Sequence, residues 1–565
     1  MRRVLFLAAL STAILAASWG AYQAASPAEP ELSRFVPSGA LLYLQARDFS
    51  SLLSDWDRSE EKKAWLKSKN YDQFSNSRLL LRLKDAGTEF SNAAGVPADG
   101  NLLAQVAGKQ AAFALYDIGK LQFLYVTRAT SSDFSGSVLW QTRAKFESRT
   151  AGGVNFYYRK DPESEREVAF ATTGEYVLLA TREDLIAGAL ELLAQSKGHS
   201  IEEDAWWSRA VSASGAPGDL RMILNLEKIV PSPYFRSYWV PKNVTEMKQY
   251  SSAISDLTRT GGEYREERKL FRKTPVPSDA ETEKGATAVA DLLRLAPQDS
   301  GFYEAKANPS PEHCVALLAT KILAPHLEPP TPQKTAPQVQ LGNGESGAAS
   351  DLETRIDQTP PQTTRTTNSG GALQELLSKN RVLAQLQAQS TDRDPTGVFV
   401  RIHSGLAFLG ESEWDERKVQ TALVEFVRPA FTTEQLGLGW KSVSSYSVMD
   451  GLWPLSVAIH GKYLIVSDDP AVLGAMLQNL NKKTDAPPSM FSSGFRHQRE
   501  QAHFVALTKM LDLQPDQASN GRGPEFFSED IASLSFALKS VASETITIRD
   551  SPDRQTQTVV YAWAR

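Results

Sequence analysis

The sequence predicts an α+β protein: two topologically related lobes with antiparallel sheets packed by helices, preceded by one N-terminal hydrophobic helix. Three observations predict it. An uncharged apolar run opens the chain. Short β-favouring strings follow glycine turns. Those strings recur in one order, with an amphipathic helix behind the clearest pair.

The opening run comes first. Arg2 and Arg3 precede Val4 to Ser18, which holds no charge. A positive start followed by an apolar stretch is the pattern of an export signal. Small residues around Ser18-Trp19-Gly20 suit cleavage after Gly20. Val4 to Ala25 also spans 22 mostly apolar residues, enough to cross a bilayer as a helix with its N-terminus cytoplasmic. Residues 1–25 therefore read as a signal peptide or signal-anchor helix. Either way the remainder is translocated, to the periplasmic or extracytoplasmic face of a bacterial cell envelope, anchored or secreted. The cytoplasmic membrane is a partner if the helix stays uncleaved. Ser26-Pro27-Ala28-Glu29-Pro30 reads as a stiff spacer.

The repeat defines the body. Gly174-Glu175-Tyr176-Val177-Leu178-Leu179-Ala180 matches Gly461-Lys462-Tyr463-Leu464-Ile465-Val466-Ser467, each a turn leading into a buried strand. Behind them, Leu185, Ile186, Ala189, Leu190 and Leu193 match Val472, Leu473, Met476, Leu477 and Leu480 at a constant separation of 287, on one helical stripe. Thr181 is expected to cap the first helix, and Asp468 or Asp469 the second, with Pro470 in its first turn. Val168 to Ala171 matches Leu455 to Ala458. Pro37 to Tyr43 matches Pro297 to Tyr303, and Met222 to Lys228 matches Phe504 to Lys509. The expected lobes are 32–273 and 288–565.

Within the first lobe, Ser75 to Asn92 and Asn101 to Val106 read as helices. Ala111 to Tyr116 and Leu121 to Thr127 read as a hairpin across Asp117-Ile118-Gly119-Lys120. Within the second, 325–371 holds seven prolines and no Phe, Trp or Tyr. It cannot bury enough apolar surface to offset its ordering entropy, and a disordered insertion is expected. A helix is expected to resume at Ala372, with Leu373, Leu376, Leu377, Leu383 and Leu386 on its apolar side.

The N-terminal hydrophobic segment, the Pro37-Ser38-Gly39-Ala40 strand entry and the glycine–tyrosine units at Gly174 and Gly461 resemble a family of bacterial exported proteins known only as a domain of unknown function. The resemblance implies an exported location and a large α+β body, and no activity, substrate or catalytic residue.

Chemistry-bearing motifs are sparse. The net charge of −5 over 565 residues excludes a lobe-wide basic field and argues against nucleic acid as a partner. One cysteine, Cys314, excludes an internal disulfide, and its apolar surroundings mark it as a core residue. Gly108-Lys109, Gly119-Lys120 and Gly461-Lys462 lack the glycine five residues earlier that a phosphate loop needs. Ser59-x-x-Lys62 lacks the accompanying Lys-Thr-Gly. His199, His313, His326, His403, His460, His497 and His503 show no zinc-helix spacing, and Asp392 to Gly397 starts like a calcium loop but meets His403 where a glutamate belongs. No catalytic, cofactor-binding or metal-binding residue is therefore assigned, and no cofactor. The adjacent Trp206 and Trp207, and the Tyr234-Phe235 and Tyr238-Trp239 pairs, read as packing groups, with ligand contact as the alternative. Glu263 to Lys269 reads as a solvated strand or helix face. The favoured function is a non-enzymatic envelope binding or scaffolding module, with an envelope protein or peptide as partner. The alternative is an envelope hydrolase whose residues converge only on folding.

Overall fold

Strings such as Val177-Leu178-Leu179-Ala180 are buried on both sides, so each strand needs cover above and below. The computed structural model supplies it by sandwiching one antiparallel sheet between helices. It describes residues 31–129, 134–195, 198–233, 245–277, 280–323, 371–393, 400–431, 439–450, 455–501, 503 and 541–563. The predicted leader, residues 325–370 of the insertion, the Tyr234-Phe235 and Tyr238-Trp239 pairs and Phe504 to Lys509 lie outside them.

Ten strands form the first half: β1 (Leu42–Ala46), β2 (Ala111–Asp117), β3 (Gln122–Arg128), β4 (Glu147–Ala151), β5 (Val154–Lys160), β6 (Glu167–Thr173), β7 (Tyr176–Ala180), β8 (Leu220–Asn225), β9 (Tyr250–Arg259) and β10 (Glu263–Arg272). They lie side by side as β4-β5-β6-β7-β3-β2-β1-β8-β9-β10, every neighbour antiparallel. Ten more follow: β11 (Phe302–Ala307), β12 (Val382–Arg393), β13 (Val400–Gly410), β14 (Gly439–Val443), β15 (Tyr446–Asp450), β16 (Ser456–His460), β17 (Tyr463–Ser467), β18 (Phe491–Phe495), β19 (Val541–Asp550) and β20 (Arg554–Trp563). Their order is β14-β15-β16-β17-β13-β12-β11-β18-β19-β20, again antiparallel throughout. The second series repeats the first, rung for rung in places. Ala169 faces Ala180 and Ser456 faces Ser467; both residues differ by 287. Tyr43 faces Ala114, and Tyr303 faces Ala388, which pairs Tyr43 with Tyr303 as the sequence expects.

The two series join edge to edge, β10 against β20. Glu267 faces Thr558 at the middle of the seam, and the rungs Arg265–Val560 and Lys269–Thr556 flank it as each other's images, since 265 and 269 lie 291 before 556 and 560. Beyond the seam, Arg272 N–H donates to Asp553 O at 2.9 Å and Trp563 N–H to Gly262 O at 3.0 Å, at the same separation of 291. The same patch on each side meets itself about a local dyad, the geometry of an isologous interface.

Helices cover both faces. Helix Glu183–Leu193 buries Leu185, Ile186, Ala189 and Leu190 on one face of the first half, and Pro470–Gln478 buries Leu473 and Met476 on the corresponding face of the second. The opposite faces carry helices Arg78–Ala94 and Gly100–Val106 in one half, and Pro311–Leu318, Gly371–Asn380 and Glu416–Phe431 in the other.

Three expectations are corrected. The helix that resumes after the insertion begins at Gly371 and stops at Asn380; Arg381, at φ 47°, turns the chain into β12, so Leu383 and Leu386 lie on a strand. Both faces of that strand are buried, and its near-continuous burial hides the alternation that would have marked it. The partner of β8 in the repeat is β18, since both pair with the first strand of their half, so Met222 to Lys228 corresponds to residues upstream of Phe504. Thr181 does not cap its helix; Glu183 N–H, in the first turn, is met by the Glu167 carboxylate at 3.0 Å. The second helix is capped as expected, and by Asp469 of the two candidates, which accepts from Ala471 N–H at 2.6 Å. Among the described residues no helix is long and apolar enough to cross a membrane.

Candidate functional site

A cavity of about 490 Å³ opens in the first half, between the outer helices and the sheet. Local sequence sets its walls. Ser77 Oγ accepts from Leu80 N–H and starts helix Arg78–Ala94; Gly95, at φ 71°, ends it with a left-handed residue that glycine adopts without strain. Asp99 then accepts from Asn101 N–H and Leu102 N–H, both at 3.0 Å, and starts helix Gly100–Val106. The two helices lie over the outer face of β2, β3 and β7. That face offers Phe113, Leu115, Phe123 and Leu179 as a floor. Phe123 holds Phe113 at 5.2 Å and Phe90 at 6.3 Å between ring centres.

The space exists because the helix faces above the floor carry small residues. Ala86 and Gly87 line it from one helix, Ala98 and Gly100 from the approach to the other. A Cβ added at Gly87 or Gly100 would meet nothing within 4 Å. Leu102 and Val106 close the deep end, while Leu83 and Leu103 stand at the exposed rim.

Three lining residues carry polar side chains, and each is committed to the scaffold. Asp99 is the helix cap. Arg166 pairs with Glu89 at 2.6 Å and donates to Lys120 O. Thr181 Oγ accepts from Phe123 N–H at 2.8 Å. What faces the cavity is hydrocarbon. Such a lining suits the apolar part of a ligand and offers no paired nucleophile and base.

The second half has the same frame with another floor. The rungs Phe113–Tyr125 and Leu115–Phe123 correspond to Gln387–Leu406 and Gln389–Ser404. Gln385 and Gln387 are buried there, and Cys314 Sγ donates to Gln385 Oε1 at 3.6 Å. Burial pushes the Cys314 thiol up to about 12, so it stays protonated as a core residue. At the rim of this floor, Asp468 accepts from Ser404 N–H at 2.7 Å, and Asp469 lies 3.1 Å from His403 Nδ1.

The other sequence features resolve into structure. Ser59 caps helix Glu60–Leu66, accepting from Lys62 N–H at 3.1 Å, which accounts for its spacing to Lys62. Trp207 is buried edge-on against Tyr43 at 4.8 Å and Trp206 is half-buried beside it. His199 pairs with Glu203, His497 with Glu544 and His503 with Glu500. No group of three metal-ligating side chains gathers among the described residues. The cavity was missed in the sequence because its floor and roof lie apart in the chain. The readable signal was β2 and β3 being apolar on both faces beneath a helix bearing Ala86 and Gly87.

No family model and no curated protein matches the chain. Among solved structures it is similar to TP0453 in three crystal forms. Form IV aligns with a TM-score of 0.24 at 12% identity, covering 43% of this chain and 81% of that one. Form III gives 0.24 at 11%, covering 46% and 88%, and form I gives 0.23 at 12%, covering 44% and 82%. A likeness of that size assigns neither fold nor function.

Proposed function

We propose that the protein is a non-catalytic binding module of the bacterial cell envelope. It is built from two related lobes on one sheet, and its first lobe takes up the apolar part of a small ligand, such as an acyl chain. The observation that carries this reading is the hydrocarbon-lined cavity whose polar groups are already spent on the scaffold. The repeated strand order supports the two lobes, and the uncharged run after Arg2 and Arg3 supports export. Divergence of the two floors, Phe113 and Leu115 against Gln387 and Gln389, supports a ligand site in one lobe only.

The test is titration of the full chain with a fluorescent fatty-acid analogue. Saturable one-to-one binding is expected. Gly87→Leu fills the open space with side chain and is expected to abolish that binding. It also removes a helix-interior glycine, which raises stability by about 1 kcal/mol. Loss of binding with a gain in melting temperature separates filling from unfolding. Unsaturable binding, or binding unaffected by Gly87→Leu, overturns the reading. Cell fractionation is expected to place the chain outside the cytoplasm.

A further inference from the structure

The cavity of the first half has a blind end and an open one. Leu102 and Val106, 5% and 4% exposed, stand at the blind end. Both belong to a packed cluster with Ala111, Tyr125, Phe134 and Leu139. Tyr125 is buried and donates its hydroxyl to Val106 O at 3.1 Å, which ties the end of helix Gly100–Val106 to the sheet. Such a wall is close-packed, so further carbon atoms pressed into it meet strain. At the open end Leu83 and Leu103 are 44% and 39% exposed. A guest entering between them meets a stop on one side and water on the other.

The polar groups along the cavity decide where a ligand's head goes. Among the described lining residues Arg166 is the cation, with its side chain 11% exposed. Its Nε and Nη2 donate to Glu89 at 3.2 and 2.6 Å, and its Nη1 donates to Lys120 O, so all three nitrogens are engaged. Asp99 at the mouth already accepts from Asn101 N–H and Leu102 N–H. A carboxylate or phosphate drawn inside would lose its water and gain no donor in exchange, which is costly. The head therefore stays at the rim. Size limits the tail. An apolar cavity of about 150 Å³ accepts one benzene, so about 490 Å³ holds roughly twenty carbon atoms at most.

We propose that the cavity selects its ligand by the length of a single hydrocarbon chain and is indifferent to the head that chain carries. The tail abuts Leu102 and Val106, the chain lies on the Phe113 and Phe123 rings, and the head sits in water between Leu83 and Leu103. Leu102 and Val106 are then the specificity-determining residues. The ligand class is the single-chain amphiphile, acid and alcohol alike. The proposal rests on the apolar-ligand reading of this cavity and adds the direction of entry and the limit on length.

The test is displacement of the fluorescent fatty-acid analogue from the full chain by fatty acids and fatty alcohols of about eight to twenty carbons, below their micellar concentrations. Each added methylene that enters the cavity is expected to tighten binding about fourfold, and each one beyond the stop to add nothing. The series is expected to break at one chain length, the same for acids and alcohols. Leu102→Ala pares back the blind end and is expected to move the break about three carbons longer. Val106→Ala truncates the same wall by less and is expected to move it about two carbons, so the outcome does not hang on one core variant folding. Leu103→Ala, at the rim, is expected to leave the break in place. An unbroken rise through the whole series overturns the proposal. So does a break that both Leu102→Ala and Val106→Ala leave where it was. A preference for acids of about tenfold or more, abolished by salt, overturns it as well, because Arg166 then exchanges Glu89 for the ligand's head. If the probe itself does not bind saturably, the apolar-ligand reading has failed and takes this proposal with it. Saturable binding without the break sinks the length limit alone.

Discussion

Thr181 and Asp468 stand one residue beyond the ends of β7 and β17, where the strand ladder has run out of rungs. Each accepts with its side chain from the backbone of the neighbouring strand, Thr181 from Phe123 N–H at 2.8 Å and Asp468 from Ser404 N–H at 2.7 Å. Each backbone N–H returns the bond, to Phe123 O at 3.1 Å and Ser404 O at 3.2 Å. A hydroxyl does this without charge. A carboxylate does it at a desolvation penalty, and burial raises Asp468 from 3.8 to about 6, with Asp469 adding to the rise and His403 opposing it. The folded chain therefore holds a proton that the unfolded chain releases near pH 4. The associated stability is complete below about pH 4 and is lost as pH rises through 6. Asp468→Asn keeps an acceptor for Ser404 and removes the titration. Its stability relative to the parent is expected to rise between pH 4 and 6, reaching on the order of 3 kcal/mol by pH 7. Denaturant midpoints at pH 4 and 7 check this; an equal difference at both would reject it.

At the scale of elements, the same strand position can be filled in different ways. Ile223 of β8 and Gly494 of β18 face Tyr43 and Tyr303 in the same register. Ile223 is buried in the core, whereas a Cβ on Gly494 would lie 2.4 Å from the Tyr303 ring. Tyrosine has taken the volume that the aliphatic side chain holds in the first half. Gly494→Ile is expected to destabilise by about 1–3 kcal/mol through overpacking. Tyr303→Ala is expected to recover part of that loss, with a coupling energy of at least 0.5 kcal/mol in a double-mutant cycle. Elements with one strong local signal were legible from sequence. The hairpin β2–β3, the helices behind β7 and β17, and the aspartate-proline start of the latter all read directly. Gly174 and Gly461, at φ 56° and 57°, marked both turns because few other residues hold that backbone without strain. β12 was not legible, because its residues continue the apolar pattern of the helix before it and only the left-handed Arg381 separates them.

Across the whole molecule, the seam between β10 and β20 makes twenty strands one sheet. Val559 is buried within it opposite Glu266. Val559→Asp sets a second carboxylate against Glu266 and buries a charge. The expected result is a loss of several kcal/mol and a calorimetric profile that splits from one transition into two, as each half melts alone. A single, uniformly lowered transition would show that the halves are coupled elsewhere. Sequence by itself determined the α+β character, the matching strand–turn–helix units and the burial of Cys314, since these rest on periodicity, turn chemistry and composition within a few residues. Tertiary structure alone decided that the mixed-charge string Glu263 to Lys269 is the joint of the molecule, that the first half encloses a hydrocarbon-lined cavity, and that Trp56, Leu66, Phe74 and Leu81 on the helices before β2 stay exposed. Each of those depends on which surfaces meet across hundreds of residues. Hydrophobic burial is non-directional, so a local apolar pattern states that a face needs cover without naming what supplies it.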